Sequence, residues 1–251
     1  MNSRHKKRLD IVLVEKNMAP SRTRAGALIM CGKVMVNKRR CDKPGTKIPP
    51  DADIQLKTSD HPFASRGGLK LAAALEENKI NCNGLVCMDV GASTGGFTDC
   101  LLQNGALKIY SIDVGYGQLA WKLRNNPKVV VLERTNIRYM DPSCISDPVD
   151  LVTIDVSFIS LKIVVPVILD FMQPDGIILA LIKPQFEVGK GKVGKGGVVR
   201  DETLHKEVID SLSLFFIDIG LKSKKVIPSP ILGPKGNREF IIRLEKSTLI
   251  P

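Results

Sequence analysis

Four charged side chains border apolar stretches of this sequence and are its first candidates for chemistry. Lys183 ends the run LALIK and Asp155 ends LVTID. Lys70 precedes LAAAL and Glu239 precedes FIIRL. Two carboxylates and two ammonium groups in one cleft would offset each other's burial and let a lysine accept a proton from a weakly acidic hydroxyl, such as a ribose 2′-hydroxyl. The alternative is four unrelated charges whose apolar stems lie against the core.

A second candidate is the glycine-rich string DVGASTGGF, in which the backbone can approach a ligand closely. It lacks the GxxxxGK[ST] pattern of nucleotide phosphate loops, and its glycines follow GxxxGG instead of the dinucleotide spacing GxGxxG. Asp113 follows Asp89 by about 24 positions, as expected for a carboxylate that binds ribose hydroxyls. A loop with carboxylates and no phosphate cradle favours the sulfonium ligand S-adenosylmethionine, with NAD as the alternative.

The elements that must position these residues alternate from about residue 85 onward between apolar strands and helices. The predicted strands are LVCMDV, KIYSIDVG, KVVVLE, DLVTIDVSF and GIILALIKP, and FTDCLLQNG is a predicted helix. This alternation predicts an α/β fold, a parallel sheet with helices on both faces, whose ligands bind at the carboxyl ends of the strands. Lys183 is therefore expected at the rim of the ligand crevice.

The positive charge is concentrated in the first quarter of the chain. Residues 1–60 carry 14 Lys or Arg against 6 Asp or Glu, and residues 61–251 carry 23 against 20. A small basic unit ahead of a nearly balanced one indicates a module that binds a polyanion. A solvated charged surface without a partner is the alternative.

The basic unit has its own pattern of short elements. A first helix is predicted near Leu9 to Met18, and a second begins after the N-cap Ser21 and ends at Gly32. KVMVN and DIQL are predicted strands joined by a polar turn. Arg22 and Arg24 in the first turn of the second helix oppose its dipole, and a bound phosphate would relieve this mismatch.

The string SRTRAGALIMCGKVMVNKRRCDKPGTKI resembles the S4 RNA-binding fold, and the resemblance covers about residues 8–57. It implies RNA backbone contacts, which position a protein more than they read sequence. The implied contact residues are Arg8, Arg22, Arg24, Lys33, Lys38, Arg39 and Arg40. The tripeptide Arg8-Leu9-Asp10 also occurs at the catalytic aspartate of pseudouridine synthases. Its place inside the S4-like segment indicates that Asp10 is a helix-surface residue.

Longer strings carry a second resemblance, which extends from about residue 8 to residue 245. SRGGLKL, DVGASTGGFTD, DVGYGQLAWKLRNNP, LIKPQFEVGKGKVGKGGVVRD and GPKGNREF resemble the TlyA family of ribosomal RNA cytidine 2′-O-methyltransferases, also named hemolysin A-like proteins. The resemblance implies an FtsJ-type, Rossmann-like methyltransferase domain and S-adenosylmethionine as cofactor. The expected domains are residues 1–60 and 67–251, joined by a linker at 61–66.

This family resemblance also implies residue roles. Lys183 would assist deprotonation of the 2′-hydroxyl, Asp155 and Glu239 would tune its charge, and Lys70 would position the ribose and stabilise the oxyanion. Asp113 would bind the cofactor ribose and Asn136 would lie near the adenine. The remaining implied cofactor residues are Gly91, Ala92, Ser93, Gly95, Gly96, Phe97 and Phe158.

The segment after Lys183 is rich in glycine and lysine. Lys190 and Lys192 in this segment are predicted RNA contacts within a lid that grips phosphate, and a disordered loop is the alternative. Shorter family members act on large-subunit RNA only, and longer ones modify both subunits. An end at KSTLIP soon after the last predicted strand favours the shorter type, so 23S RNA is the expected substrate and 16S RNA the second candidate.

Several classes are disfavoured by the sequence. The apolar runs are far shorter than the roughly 20 residues that cross a bilayer, and the basic start leads into no apolar export signal. The six cysteines form no CxxC pair, so we expect reduced thiols in a cytoplasmic protein and no metal site. We also expect a monomer. The competing functions are a catalytically inactive ribosome assembly factor and a membrane-active hemolysin.

Overall fold

The computed structural model describes residues 6–19, 21–56, 61–189 and 191–246. Contacts within the chain divide it into two compact units, residues 1–62 and 63–251. Each unit buries its own apolar residues, and each is described by itself below.

The first unit is built from short elements. In chain order these are β1 (Lys7–Arg8), α1 (Leu9–Glu15), α2 (Arg22–Met30), β2 (Val34–Val36), β3 (Arg39–Cys41), β4 (Lys47–Ile48) and β5 (Ile54–Leu56). The predicted cap of α2 is confirmed, because Ser21 Oγ accepts a hydrogen bond from Arg24 N at 3.2 Å. Gly32 follows the helix with φ +67°, as its predicted stop requires. β2 pairs antiparallel with β3 and β5, and β1 pairs with β4.

Two features of this unit differ from the sequence prediction. β3 and β4 lie inside the segment predicted as a polar turn, because strands of two or three largely exposed residues carry no apolar alternation. Asp10 is 5% exposed, so the prediction of a helix-surface residue is wrong. Arg8 and Arg22 hydrogen-bond its carboxylate at 2.9 and 3.2 Å, and this pairing, mainly with Arg8, lowers the pKa of Asp10 to about 2.

The second unit contains a large sheet and its covering helices. In chain order its elements are α3 (Gly67–Glu77), β6 (Val86–Val90), α4 (Gly96–Gln103), β7 (Lys108–Ile112), α5 (Trp121–Arg124), β8 (Val129–Leu132), β9 (Val149–Ile154), α6 (Leu161–Ile168), β10 (Met172–Ile182), α7 (Pro184–Glu187), α8 (Glu202–Asp218), β11 (Leu221–Ser223), β12 (Ile227–Pro228) and β13 (Phe240–Lys246). Within the described parts of the chain, no helix is long and apolar enough to span a membrane.

The strands form one mixed sheet in the order β11-β13-β10-β9-β6-β7-β8, with β12 paired to β13. The run from β10 through β9, β6 and β7 to β8 is parallel, as predicted. β13 runs antiparallel to β10 and to β11, so the sheet is not wholly parallel. Strand direction depends on the connection between strands, which apolar periodicity does not reveal.

Helices cover both faces of this sheet, which explains why its central strands are apolar without alternation. In β10, Ile178 and Ile182 face the core that contains α6 and α8, whereas Leu179 and Leu181 face the core that contains α3 and α4. The predicted α/β fold with a small N-terminal unit is therefore confirmed. It places the ends of β6, β7, β9 and β10 side by side.

Candidate active site

The predicted functional residues stand at the carboxyl ends of neighbouring strands. Gly91, Asp113, Asp155 and Lys183 each directly follow a strand, namely β6, β7, β9 and β10. The chain order reverses between β6 and β9, since β6 pairs with β7 on one side and with β9 on the other. Such switch points open a crevice above the sheet, and ligands of α/β proteins bind there.

The structure brings the four charged candidates into one chain of ion pairs. Lys70 Nζ lies 2.6 Å from Glu239 Oε2 and 3.8 Å from Asp155 Oδ2. Lys183 Nζ lies 2.5 Å from Asp155 Oδ1. Lys70 is 6% exposed, Lys183 8% and Glu239 2%, so these charges compensate one another away from bulk water.

The fold explains why residues so distant in sequence meet. β13 runs opposite to β10 with Ile182 opposite Phe240, so Glu239, just before β13, arrives beside Lys183, just after β10. Lys70 lies in α3, and its buried side chain reaches Glu239 and Asp155 from there. The reversed strand therefore completes the site.

Sequence reasoning missed a further partner of Lys183. Ser157 Oγ lies 3.1 Å from Lys183 Nζ, so the ammonium donates to this hydroxyl as well as to Asp155. The serine stands in an irregular loop after β9, where no periodicity fixes the direction of a side chain. Its spacing of two residues from Asp155 was the only signal in the sequence.

Two glycines allow the loop after β6 to lie close to its neighbours. Gly91 has φ +87°, and a β-carbon there would stand 2.6 Å from the backbone oxygen of Asp155. Gly95 has φ +92° and precedes α4, where a β-carbon would overlap Leu123. Larger residues would push the loop away from the strand ends.

The Asp113 carboxylate is held by the backbone of the same crevice. Its two oxygens accept hydrogen bonds from Ser93 N at 2.7 Å and Gly115 N at 2.6 Å. It lines a cavity of about 770 Å³ that extends to Asp155. Apolar side chains line the same cavity: Val90, Ile112, Val114, Ile137, Val156, Ile159, Ile163 and Val164.

The other predicted cofactor residues are divided between this cavity and its surroundings. Gly91, Ser93, Asn136 and Phe158 line it together with Asp113. Ala92, Gly96 and Phe97 line an adjoining cleft instead, and Phe97 is buried in the core against α3. Gly95 packs against α5. The structure thus does not bring Phe97 to the Asp113 cavity.

The donor set of the cavity fits S-adenosylmethionine. Asp113 offers carboxylate oxygens for ribose hydroxyls, and the apolar lining offers a surface for adenine. Asp155 is a second carboxylate in the lining and would help to offset the positive charge of a sulfonium. A β-carbon at Gly91 would disturb the cavity through its overlap with the backbone of Asp155.

The adjoining cleft, about 790 Å³ in volume, supplies basic residues that the sequence analysis did not select. Arg66 and Lys235 line it with Lys70 and Asp155. The Arg66 guanidinium donates to the backbone oxygen of Leu232, which connects the start of α3 to the segment before β13. Cationic side chains in such a cleft suit a phosphate backbone.

Asp89 lies beneath the glycine loop, outside the cavities. It is fully buried, and its Oδ2 accepts a hydrogen bond from Thr98 Oγ1 at 2.6 Å. Thr98 also lies 2.8 Å from Ser111 Oγ, and Thr153 Oγ1 lies 3.4 Å from Asp89 Oδ1. Burial raises the pKa of Asp89 to about 7, although the threonine hydrogen bonds oppose this effect.

The raised pKa of Asp89 predicts a pH-dependent stability. Because it exceeds the ordinary value of 3.8, the folded state binds the proton more tightly. Asp89 then lowers the free energy of unfolding as the pH rises toward 7, with no further change above. We therefore compare the free energy of unfolding of Asp89→Asn with that of the wild type. This difference should shift by about 2 kcal/mol in favour of the variant from about pH 5.5 to pH 8, at about 1.4 kcal/mol per pKa unit. Urea denaturation at both pH values measures this gain, and a pH-independent difference would contradict the prediction.

Comparison with known proteins decides the family. A family model described as FtsJ-like methyltransferase matches residues 63–246, and a model described as S4 domain matches residues 7–54. The "16S/23S rRNA (cytidine-2'-O)-methyltransferase TlyA" of Mycobacterium tuberculosis (strain ATCC 25618 / H37Rv) is 46% identical over 242 residues, 96% of this chain and 90% of the relative. The chain belongs to the TlyA family of FtsJ-like methyltransferases.

Other TlyA-family relatives carry different names. "Putative rRNA methyltransferase YqxC" of Bacillus subtilis (strain 168) is 47% identical over 240 residues, 95% of this chain and 85% of the relative. The solved structure "Putative hemolysin from Streptococcus thermophilus" is 39% identical, with a TM-score of 0.75, and the match covers 98% of this chain and 90% of that structure. The predicted family is confirmed by both sequence and structure.

The predicted RNA contacts of this TlyA-family chain are distributed as follows. Arg24, Lys33, Lys38, Arg39 and Arg40 are exposed in the first unit. Arg8 and Arg22 are exposed too, but their guanidinium groups pair with Asp10. Lys192 is exposed and lies 3.2 Å from Glu207, whereas Lys190 lies outside the described residues.

Proposed function

We propose that this TlyA-family methyltransferase transfers a methyl group from S-adenosylmethionine to the 2′-hydroxyl of a cytidine in ribosomal RNA. One observation carries the proposal: the Lys70–Asp155–Lys183–Glu239 cluster borders both the Asp113 cavity and the basic cleft. A nucleophile bound in the cleft would therefore meet a cofactor bound in the cavity at Asp155. The names of the relatives, of which one specifies 16S and 23S RNA, support this substrate.

In the proposed mechanism, Lys183 is the proton acceptor. When bound, S-adenosylmethionine supplies a methyl group on a positively charged sulfur, which an oxygen nucleophile can attack. Lys183 Nζ, in its unprotonated form, removes the 2′-hydroxyl proton, and Asp155 and Ser157 hold this nitrogen in place. The proton then passes from Nζ to water at the rim of the site.

Lys70 and Glu239 have the complementary role. Lys70 positions the ribose and stabilises negative charge on its 2′-oxygen, because its ammonium lines the cleft beside the second oxygen of Asp155. Glu239 compensates the charge of Lys70 so that the ammonium stays in the site. These charges are in place before substrate binds, which limits reorganisation during the reaction.

Cofactor binding is expected to depend on Asp113. Asp113→Ala should lower S-adenosylmethionine affinity about 10- to 100-fold, since hydrogen bonds to a charged acceptor contribute about 1.5–3 kcal/mol. Isothermal titration calorimetry measures the affinity. The matched control is Asp175→Ala, which removes an exposed carboxylate near the start of β10. Equal affinities of Asp113→Ala and the control would refute the assigned role.

We infer that the RNA is held by both units. The S4-like unit, expected at residues 1–60, offers exposed arginine and lysine side chains for phosphate, and the cleft offers Arg66 and Lys235. A linker at residues 61–66 would join it to the catalytic domain at 67–251. A protein that modifies ribosomal subunits in this way would act in the cytoplasm.

The test is transfer of radiolabelled methyl groups to purified ribosomal subunits from cells that lack the protein. Small and large subunits are assayed separately, and the modified ribose is then mapped. Label on a cytidine 2′-oxygen of either subunit supports the proposal, and the labelled subunit identifies the substrate. Binding of S-adenosylmethionine without labelling of either subunit would instead support an assembly factor.

A further inference from the structure

A buried carboxylate in the first unit is covered by two exposed arginines. The Asp10 side chain is 7% exposed, whereas those of Arg8 and Arg22 are 46% and 60% exposed. Arg8 lies in β1, Asp10 in α1 and Arg22 at the start of α2, so this carboxylate connects three elements. The two arginine side chains are therefore accessible to a ligand, and the carboxylate between them is nearly inaccessible.

Four hydrogen bonds hold the Asp10 carboxylate and its two arginines in place. Oδ1 accepts from Arg8 Nε and from Ile11 N, each at 3.0 Å. Oδ2 accepts from Arg8 Nη2 at 2.9 Å and from Arg22 Nη2 at 3.2 Å. The bidentate contact fixes the plane of the Arg8 guanidinium. Because both Nη2 atoms contact the same oxygen, the two guanidinium groups lie side by side.

Each guanidinium keeps N–H groups that a ligand can use. A guanidinium has five N–H donors, of which Arg8 gives two and Arg22 gives one to Asp10. The remaining donors suit the oxygens of a phosphate group. A phosphate that contacts both arginines would meet side chains that are already oriented, so binding would not have to immobilise them.

Lys47 adds a third cation beside this pair. It is exposed and lies directly opposite Arg8 in the antiparallel pairing of β1 with β4. Residues directly opposite each other project on the same face, where like charges are unfavourable. The three cations and the single carboxylate leave an excess of positive charge that a bound phosphate would offset. The sequence analysis did not select Lys47.

We propose that Asp10 is a positioning residue for RNA binding, which holds Arg8 and Arg22 side by side so that both donate to one backbone phosphate. Lys47 would be a further contact of the same phosphate backbone. This inference rests on the proposed action on ribosomal RNA. Its consequence is opposite to that of net charge alone. Removal of a negative charge from a basic surface should tighten RNA binding, whereas loss of positioning should weaken it.

The affinity of the full chain for purified ribosomal subunits tests this proposal. The subunits come from cells that lack the protein, S-adenosylhomocysteine replaces the methyl donor, and co-sedimentation measures the Kd. Asp10→Asn, a substitution of nearly the same shape, should weaken binding about 5- to 100-fold. Binding by Asp10→Asn that equals or exceeds that of the wild type would overturn the proposal, as would a wild type that binds neither subunit.

The matched control is Glu15→Gln, which changes the net charge of the same unit by the same amount. Glu15 is exposed and pairs with Lys7 at 2.8 Å, away from the two arginines that contact Asp10. Glu15→Gln should leave subunit binding unchanged or tighten it. If it weakens binding as much as Asp10→Asn does, the position of the carboxylate has no special effect and the proposal is wrong.

A double-mutant cycle separates positioning from a loss of structure. Arg8→Met should weaken binding of the wild type but have little further effect in Asp10→Asn, because the guanidinium has already lost its orientation there. Arg39→Met, which changes an exposed residue of β3, should weaken binding by the same factor in both backgrounds. If Arg8→Met keeps its full effect in Asp10→Asn, or if the effect of Arg39→Met disappears as well, the positioning role is refuted.

These measurements are independent of methyl transfer. If the subunits bind with this coupling between Asp10 and Arg8 but receive no methyl label, the role of Asp10 stands and the proposed reaction does not. Where transfer occurs, Asp10→Asn should raise KM for the subunit by a factor similar to its effect on Kd, with kcat nearly unchanged. A loss confined to kcat would contradict a role in RNA binding.

Discussion

Replacement of Lys183 by methionine is expected to lower methyl transfer about 10²- to 10⁴-fold, the range over which a general base contributes. The variant keeps an unbranched side chain of nearly the same length but has no basic nitrogen to accept the 2′-hydroxyl proton. Asp155 stays paired with Lys70 at 3.8 Å, so the cavity end where the cofactor would bind keeps its carboxylate. Single-turnover transfer measures the loss, and calorimetry should find an S-adenosylmethionine affinity close to that of the wild type.

The matched control is Lys192→Met, which removes an exposed lysine that pairs with Glu207 outside the cluster. It should change single-turnover transfer far less than Lys183→Met does. Any effect of Lys192→Met should appear as weaker RNA binding. A Lys183→Met enzyme that methylates at the rate of this control would show that another group, or water, accepts the proton. A parallel loss of cofactor affinity would indicate disruption of the crevice instead.

Lys70→Met is expected to have the largest effect on stability. Glu239 is buried and Lys70 is its ion-pair partner at 2.6 Å, so the variant leaves a buried carboxylate without compensation. Removal of one partner of a buried pair costs about 3–5 kcal/mol. We expect a decrease of that size in the free energy of unfolding at neutral pH, measured by chemical denaturation, together with loss of transfer.

The double variant Lys70→Met/Glu239→Gln separates charge from packing. Without the buried carboxylate, it should recover much of the lost stability while remaining inactive, because the proposed oxyanion-stabilising ammonium is still absent. Lys108→Met is the comparison for an exposed pair, since Lys108 contacts Asp147 at the surface at 2.6 Å and should cost less than about 1 kcal/mol. If the double variant is no more stable than Lys70→Met, the loss of stability comes from lost packing of the lysine stem and not from the unpaired carboxylate.

The sequence predicted the parts of the site that depend on the ends of regular elements. Asp113, Asp155 and Lys183 follow apolar strands, and parallel strands bring such residues to one edge. Ser157 could not be found this way, because it stands in the loop after β9, where side-chain direction depends on the local turn. The predicted contact of Phe97 with the cofactor came from motif position alone, and the packing of α4 against α3 turns this ring into the core.

The position of β13 has a consequence for the order of events in biosynthesis. This strand is made after β10 and β11, yet it lies between them in the sheet. Glu239 directly precedes β13. When the chain up to β11 has left the ribosome, the four-residue cluster therefore still lacks Glu239. Long-range strand insertion is slow compared with local helix formation. A nascent chain would thus acquire its charged cluster last, and a newly made enzyme would become active only after this strand has inserted.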